Sequence, residues 1–401
     1  MNRSVRSARG ADGGRSGAGA DLSALRSHNT ALVLDLLRTA GEAGISRLEL
    51  AEGTGLTPQA VSKITARLRA EGLAREAGHR ASTGGKPRTV LRLVPSAAYG
   101  VGVHLDRDEL TAVLVDLAGV RMALRRAPLD LGAGVDAVFG VVEGEVGALR
   151  ELIAAGSEAT VASEASEASE TVEVSGASEA SPHTEAPALA PALLGVGVAM
   201  PGPLDHLTGT PGRVTGHPEW EGVPLRDELT RRLGLPVELD KDTNAAALGL
   251  ALRAPVADSF AYLHLGTGLG AGLVLGGALH RGARTGAGEF GHQTVQLDGP
   301  PCECGGRGCL EVLCLAAVAR GDLPEAARIL GAGAVNLVRL LDIDRVVLGG
   351  RAVSAAPEVF AHGVGTVLAG AGMGTPVAGT PTPHAVAEGA AQLILAPVFG
   401  K

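Results

Sequence analysis

Three cysteines and a histidine crowd into one short stretch. It runs Gly291-His292, then nine residues, then Cys302-Glu303-Cys304-Gly305-Gly306-Arg307-Gly308-Cys309. Three thiolates and one imidazole make a tetrahedral Zn²⁺ set. The glycines at 305, 306 and 308 let the chain fold tightly around an ion. Four protein ligands leave no open coordination position, so the expected zinc is structural and not hydrolytic. Three free thiols on a loop are the weaker alternative, because cysteine is seldom clustered in a polar, glycine-rich stretch without a reason. Cys314 stands outside the cluster in an apolar helical segment and reads as a core residue.

Carboxylates flank this set on both sides. Glu289 lies three residues before His292, and Glu311 lies two residues after Cys309. Asp240-Lys241-Asp242-Thr243-Asn244 falls at a strand-to-helix junction, where α/β sheets bind ligands. Carboxylates and an imidazole are natural partners for vicinal hydroxyls, hence a sugar. Each acid alone reads better as a solvated surface group; their joint placement carries the expectation. Gly266-Thr267-Gly268-Leu269-Gly270-Ala271-Gly272 follows a strand. Its N–H groups could cradle a phosphate, and a tight hairpin turn is the plain alternative.

A different chemistry sits nearer the N-terminus. A helix opens at Thr57-Pro58, with threonine as cap and proline in the first position, and Val61, Ile64 and Leu68 form its inward stripe. Thr57, Gln59, Ser62, Lys63 and Arg67 then face away, offering the hydroxyl, amide and cationic groups that base edges and phosphates need. Such a face alone is equally an ordinary solvated one. Its surroundings decide the matter. Leu22, Leu25, Ala31, Leu32, Leu36 and Leu37 trace one helix up to Gly41, a second runs from Ser46 to Glu52, and Gly53-Thr54-Gly55 supplies a turn. Residues 73–94 read as two strands around a tip, Ser82-Thr83-Gly84-Gly85-Lys86-Pro87-Arg88. This is the layout of a winged helix-turn-helix, with Lys86 and Arg88 in the wing. Residues 1–95 carry fifteen Lys and Arg against eight Asp and Glu, whereas the rest carries 20 against 35. A basic head on an acidic body suits a head that meets a polyanion.

Three segments follow: a disordered basic arm (1–20), the DNA-binding head (21–95) and an α/β body (96–401). In the body, strands at 193–200, 237–239, 261–265, 270–275 and 345–348 alternate with helical stretches. Residues 157–191, with ASEASEASE repeats, seven Glu and no Lys or Arg, form a solvated low-complexity insert behind a helix at 135–155. The 401 residues suffice for two or three domains with proper cores. Aromatics are only 2% while glycine reaches 59 residues, so the cores must be built from Ala, Val and Leu. So few rings argue against a base-stacking platform for single-stranded nucleic acid. No apolar run is long enough to span a bilayer, and the first residues lack an apolar signal core, so a cytoplasmic protein with no membrane association is expected. Four cysteines in that setting argue against a disulfide scaffold.

The stretches GVGVAMPGPLD (195–205), DKDTNAAALG (240–249), LGTGLGAGLVLGG (265–277), GAGEFGH (286–292), CECGGRGCLE (302–311) and LLDIDRVVLGG (340–350) together resemble the ROK family of repressors and sugar kinases. With the winged head, the likeness points to its xylose-repressor-like branch and covers most of residues 21–400. It implies an actin-like, two-lobed sugar-kinase fold with the zinc loop between the lobes, and a homodimer or a dimer of dimers. It further implies that Asp242 matches the family's catalytic base, that Glu289, His292 and Glu311 contact sugar, and that His292 also ligates zinc. The chain departs from this pattern in places. The Asp-x-Gly-Gly-Thr loop that grips ATP phosphates in the kinases reads His104-Leu105-Asp106-Arg107-Asp108 here, placing like charges where phosphates would sit. The family's Asn before the catalytic Asp is Lys241, which joins the sugar-binding set by position, and the helical region between Glu311 and Gly321 is shortened.

Two functions compete. One is a sugar-responsive transcriptional regulator, most simply a repressor, that binds a double-stranded operator and whose kinase-like body has lost catalysis. The other is an ATP-dependent, glucokinase-like sugar kinase. The DNA head and the broken phosphate loop favour the first, with no catalytic residue and no ATP expected; Asp242 and the 266–272 glycines keep the second in play.

Overall fold

The computed structural model describes residues 28–80, 88–167, 191–214, 216–253 and 258–401. The expected basic arm, the first turns of the leading helix, the wing tip with Lys86 and most of the acidic insert lie outside the described residues.

The head begins with α1 (His28–Ala40), the two-residue strand β1 (Ile45–Ser46), α2 (Arg47–Thr54) and α3 (Pro58–Ala70). Ser46 caps α2 by accepting from the Glu49 N–H, and Glu49 returns its carboxylate to the Ser46 N–H at 2.8 Å. Helix α2 therefore runs through Gly53 and Thr54, which the sequence suggested as turn, and ends at Gly55 in the left-handed region. Thr57 caps α3 by accepting from Ala60. The buried face of α3 is Val61, Thr65 and Leu68; Ile64 is only half-buried, and the Thr65 hydroxyl is satisfied by donating to the Val61 carbonyl at 2.9 Å. Strands β2 (Ala74–Arg80) and β3 (Arg88–Leu93) complete an antiparallel sheet in the order β1-β3-β2.

The body repeats one wiring twice. Its first sheet contains β4 (Ala98–Leu105), β5 (Glu109–Asp116) and β6 (Arg121–Pro128), then β7 (Ala192–Met200) after the long helix α4 (Val135–Glu167). A small ribbon of β8 (Leu204–Asp205) and β9 (Thr210–Pro211) and helix α5 (Leu225–Leu233) lead to β10 (Val237–Lys241) and helix α6 (Asp242–Arg253). The second sheet contains β11 (Phe260–Leu265), β12 (Leu269–Leu275) and β13 (Ala278–His280). After helices α7 (Leu310–Ala319) and α8 (Leu323–Leu341) come β14 (Arg345–Gly349), α9 (Arg351–Ala355), α10 (Pro357–Gly370), β15 (Val377–Gly379) and α11 (Ala385–Leu395). The sheets are ordered β10-β7-β4-β5-β6 and β13-β12-β11-β14-β15. In each, three consecutive strands are antiparallel, and two more join parallel to the first through helical crossovers. Helix α4 extends to Glu167, into the stretch expected to be unstructured; alanine- and glutamate-rich repeats have the propensity to prolong a helix already begun.

The two lobes exchange their terminal helices. Helix α6 follows the first sheet yet packs on β11, β12 and β13 of the second, and α11 follows the second yet packs on β4, β5 and β7 of the first. The two helices also pack on each other, and the contacts are backbone to backbone. A Cβ at Gly197 would lie 1.8 Å from the Ala390 carbonyl oxygen, one at Gly272 2.1 Å from that of Thr243, and one at Gly389 1.9 Å from that of Ala245. No side chain fits at these positions, and the cleft between the lobes is fixed by how closely these helices approach.

The head is not separate from this arrangement. Helix α11 runs directly into a 3₁₀ turn, Ala396–Phe399, which packs on α1. Val33, Leu34 and Leu37 of α1 share one apolar cluster with Ile394, Leu395, Val398 and Phe399. The Arg38 guanidinium lies over the Phe399 ring at 4.9 Å, and Lys401 Nζ is 3.1 Å from Asp35 Oδ2. Among the described residues, no helix is long and apolar enough to cross a membrane.

Gly389→Ala tests the helix crossing. Its methyl carbon would collide with the Ala245 carbonyl, so it should destabilise the body by at least about 2 kcal/mol, as overpacking does. Gly365→Ala, in α10 with nothing within 4 Å of the new Cβ, should instead stabilise by up to about 1 kcal/mol. Chemical denaturation of the two variants measures both effects.

Candidate functional site

Between β13 and α7 the chain wraps around the histidine and three cysteines. The ligand atoms of His292, Cys302, Cys304 and Cys309 all lie within 4.8 Å of one another. Cys304 Sγ is 3.7 Å from Cys309 Sγ, and Cys302 Sγ is 3.8 Å from His292 Nδ1. A tetrahedron with bonds of about 2.3 Å has edges of about 3.8 Å, so the four groups fit a Zn²⁺-sized ion. The loop is tightly folded. Bridges Thr294↔Cys309 and Pro301↔Arg307 fold it back on itself. Gly308 has φ +58, and a Cβ there would be 1.7 Å from the Gln296 carbonyl oxygen. Cys314 lies away from the set, buried in the second lobe's core, as its apolar surroundings implied.

The loop carries the acids into the cleft. Glu289 immediately precedes the 3₁₀ turn Phe290–His292, and Glu311 sits in the first turn of α7, just behind Cys309. Lys241 ends β10 and Asp242 opens α6, from the other lobe. All five expected sugar-binding residues, Lys241, Asp242, Glu289, His292 and Glu311, line one pocket with about 70 Å³ of free space. Several are already engaged. Lys241 is buried, donating to the Ala287 carbonyl and to Glu289 Oε1 at 3.1 Å. Glu311 Oε2 accepts from the Leu269 N–H at 2.9 Å, and Asp242 Oδ1 accepts from Thr243. Burial pushes the Asp242 carboxyl above its ordinary range, and His264 and the Thr243 N–H oppose this only in part. Asp240 turns away from the pocket chemistry, bound to Arg281 at 2.7 Å and to Asn244 at 2.8 Å.

The glycines at 266–272 are the turn of a hairpin. Leu265 pairs with Leu269, and the Gly266 N–H donates to the Gly268 carbonyl. Gly272 serves the packing of α6 on β12. Across from this turn stand Asp106 and Asp108, each paired with Arg351 of the second lobe. Arg351 bridges both, donating to Asp106 Oδ2 at 2.6 Å and to Asp108 Oδ2 at 2.8 Å, and leaves the trio one negative charge. Burial alone would raise Asp106. His104 (through its charged form), Thr267, the Arg107 N–H and Arg351 outweigh it and hold that carboxyl down at about 2. His104 is itself held down to about 4, chiefly by burial, and so is neutral at neutral pH.

Four residues of this region carried no usable signal in the sequence. Arg107 lines the pocket, with its Nε buried and lacking a hydrogen-bond partner. His264 lines it too, its Nδ1 2.8 Å from the Tyr262 hydroxyl. Thr267 donates to Asp106 at 2.8 Å. Arg351 directly follows Gly349-Gly350, whose motif was legible although the arginine's partners were not. A second cavity of about 480 Å³ adjoins the pocket, lined among others by His104, Arg126, His264, Arg351 and His384.

In the head, Thr57, Gln59, Ser62, Lys63 and Arg67 are all exposed on α3, and Arg88 is exposed at the start of β3. Arg67 is held by Glu71 at 2.8 Å. Lys86 lies outside the described residues.

Comparison with known proteins gives this geometry a family. Residues 180–319 match the ROK family. The chain is 28% identical over 273 residues to the xylose repressor of Bacillus subtilis (strain 168), covering 67% of this chain and 61% of that one. It is 43% identical over 135 residues to the glucokinase of Thermotoga maritima, covering 32% of this chain and 42% of the other. It thus spans about three-fifths of the length of the repressors it matches. A crystal structure of a ROK family transcriptional regulator, a homologue of the E. coli MLC protein, superposes with a TM-score of 0.66. That match has 20% identity and covers 93% of this chain and 97% of that one, so both share the fold from head to body. Residues 180–319 thus form a ROK family domain, and the two-lobed body around it has the fold of the ROK regulator it superposes on.

Proposed function

We propose that this protein is a sugar-responsive, DNA-binding transcriptional regulator, acting in the cytoplasm as a homodimer or a dimer of dimers, whose ROK body is a sensor and not a kinase. The carrying observation is the pairing of a winged head, with an exposed polar face on α3, and a body whose phosphate-facing loop presents Asp106 and Asp108. Carboxylates there repel a nucleotide's phosphates. The head, residues 21–95, would lay α3 in the major groove, with Thr57, Gln59, Ser62, Lys63 and Arg67 toward bases and phosphates and Lys86 and Arg88 reaching the backbone from the wing. A dimer calls for a palindromic operator. Repression is the simplest mode, as in the xylose repressors that the chain resembles.

In the sensor, the histidine and three cysteines would hold a structural Zn²⁺. The ion would fix the loop that carries Glu289 and Glu311, and no open ligand position remains for substrate. A sugar hydroxyl pair would lie between Asp242 on α6 and Glu289, His292 and Glu311 on that loop, with Lys241 positioning Glu289. These groups come from both lobes, so one ligand ties them together in one relative arrangement of the lobes. Helix α6 packs on α11, and α11 continues into the turn that covers α1 of the head. A change in lobe angle therefore has a short mechanical route to the DNA-binding helices. The kinase reading is kept for one reason: Asp242 occupies the position of the family's catalytic base.

Three measurements test this. Selection of genomic duplex fragments should yield a palindromic site, and Lys63→Ala or Arg67→Ala should weaken binding and flatten the salt dependence of log K by roughly 0.9 for each phosphate left without its cation. Operator binding by a chain lacking residues 1–95 would refute the assignment. Metal analysis should find one zinc per chain, and Cys304→Ser should lose the ion together with the response to sugars. In a panel of hexoses and pentoses, one sugar should lower operator affinity in the wild type, a tenfold loss requiring about 1.4 kcal/mol of coupling. Asp242→Asn should blunt that response and leave operator affinity unchanged. Phosphorylation of any of these sugars with ATP at a useful rate would select the kinase reading.

A further inference from the structure

The lobes are also joined directly, across the mouth of the cleft. Asp106 and Asp108 belong to the turn between β4 and β5 in the first lobe. Arg351 opens α9 in the second lobe, and Thr267 lies in that lobe's β11–β12 turn. Asp106 uses both oxygens on second-lobe groups, Oδ2 on Arg351 at 2.6 Å and Oδ1 on the Thr267 hydroxyl at 2.8 Å. Asp108 takes the same guanidinium through both of its oxygens, at 2.8 and 2.5 Å. The position of the arginine is fixed from behind. Gly350 has φ +95, and a Cβ there would lie 2.3 Å from the Leu265 carbonyl oxygen, so α9 begins tight against the end of β11.

Two features separate this cluster from an ordinary surface ion pair, which contributes little. The fork of one arginine is shared by two carboxylates in a charge-assisted geometry. Asp106 is also largely buried, its side chain only 13% exposed, so loss of Arg351 would strand a desolvated charge inside the closed cleft. A stranded charge favours opening, because opening rehydrates it. We propose that Asp106, Asp108, Thr267 and Arg351 form an interlobe latch that holds the cleft closed without a nucleotide and sets how readily the lobes part. Asp106 and Thr267 also line the pocket that contains Asp242, so parting the latch opens the way to that pocket. A phosphate group would have to displace two carboxylates to reach the same guanidinium, so the latch excludes nucleotide by the contacts that keep it shut. Nothing in this proposal depends on DNA binding or on a sugar effector.

Hydrogen–deuterium exchange on the full chain tests it with no ligand present. In Arg351→Met, peptides covering residues 104–110 and 265–270 should exchange at least tenfold faster than in the wild type, while those covering β7 and α8 change less than twofold. Adding Asp106→Asn to that variant should bring both peptides partway back toward the wild-type rate, because the stranded charge is then gone while Thr267 keeps an oxygen to donate to. In the wild type, raising NaCl from 0.05 to 1 M shortens the screening length to about 3 Å and should accelerate the same two peptides together, acting mainly on the exposed Asp108–Arg351 half of the cluster. The salt arm needs no variant and holds if Arg351→Met fails to fold. Exchange in both peptides that is unchanged by salt and by Arg351→Met, or acceleration confined to one lobe, would overturn the proposal.

Discussion

The body depends on one constraint: helices α6 and α11 must meet almost backbone to backbone while each lies on the other lobe's sheet. Gly249 and Gly389 stand at their crossing, Gly197 admits α11 to the first sheet, and Gly272 admits α6 to the second. This is where the composition acquires a physical sense. A chain with 59 glycines and 2% aromatics cannot wedge its lobes apart with rings, and it uses the absence of side chains as its spacing element. Because α6 begins with Asp242 and α11 ends beside the head, the same crossing fixes the distance between the candidate ligand pocket and the helices of the head.

Charge is arranged around that crossing in two tiers. Close to the pocket, Lys241 is spent on Glu289, and Glu311 on a backbone N–H. These groups are held in place before any ligand arrives, which lowers the ordering cost of binding. On the hinge helix itself, buried Glu388 is gripped by Arg121 of the first lobe's edge strand at 2.9 Å and by Arg253 at the end of α6 at 2.8 Å. Removing either arginine leaves that carboxylate with part of its compensation, so the helix pair is secured by charge where close packing ends.

What the sequence disclosed and what it hid divide by range. Local chemistry was legible: the cluster of His292 and three cysteines that could hold a metal, the capping residues Ser46 and Thr57, and the junction that presents Asp242 are each specified by nearby sequence. The glycines at 266–272 were ambiguous, since a phosphate loop and a hairpin packed under a helix require the same residue for different reasons. Contacts between distant segments left no trace. Arg351 and Asp106 are 245 positions apart, and nothing near either one names the other. The two aspartates therefore read only as a bar to phosphates, and the arginine that holds them both went unseen. The acidic repeats after Ala155 mislead on composition: a lack of apolar residues argues against a packed core but not against prolonging a helix whose earlier turns are already anchored.

The turn at 396–399 has a consequence for how the molecule comes into being. The ribosome makes α1 early and its apolar cover hundreds of residues later. At roughly 5–20 residues per second, the inner side of that helix waits through the synthesis of both lobes before Val398 and Phe399 emerge to close it. During that interval Val33, Leu34 and Leu37 have partners within the head, among them Leu50, Val61, Leu68 and Leu91, but their cluster lacks the Val398 and Phe399 that complete it. Completion of the apolar cluster behind the head is thus timed to the end of the body.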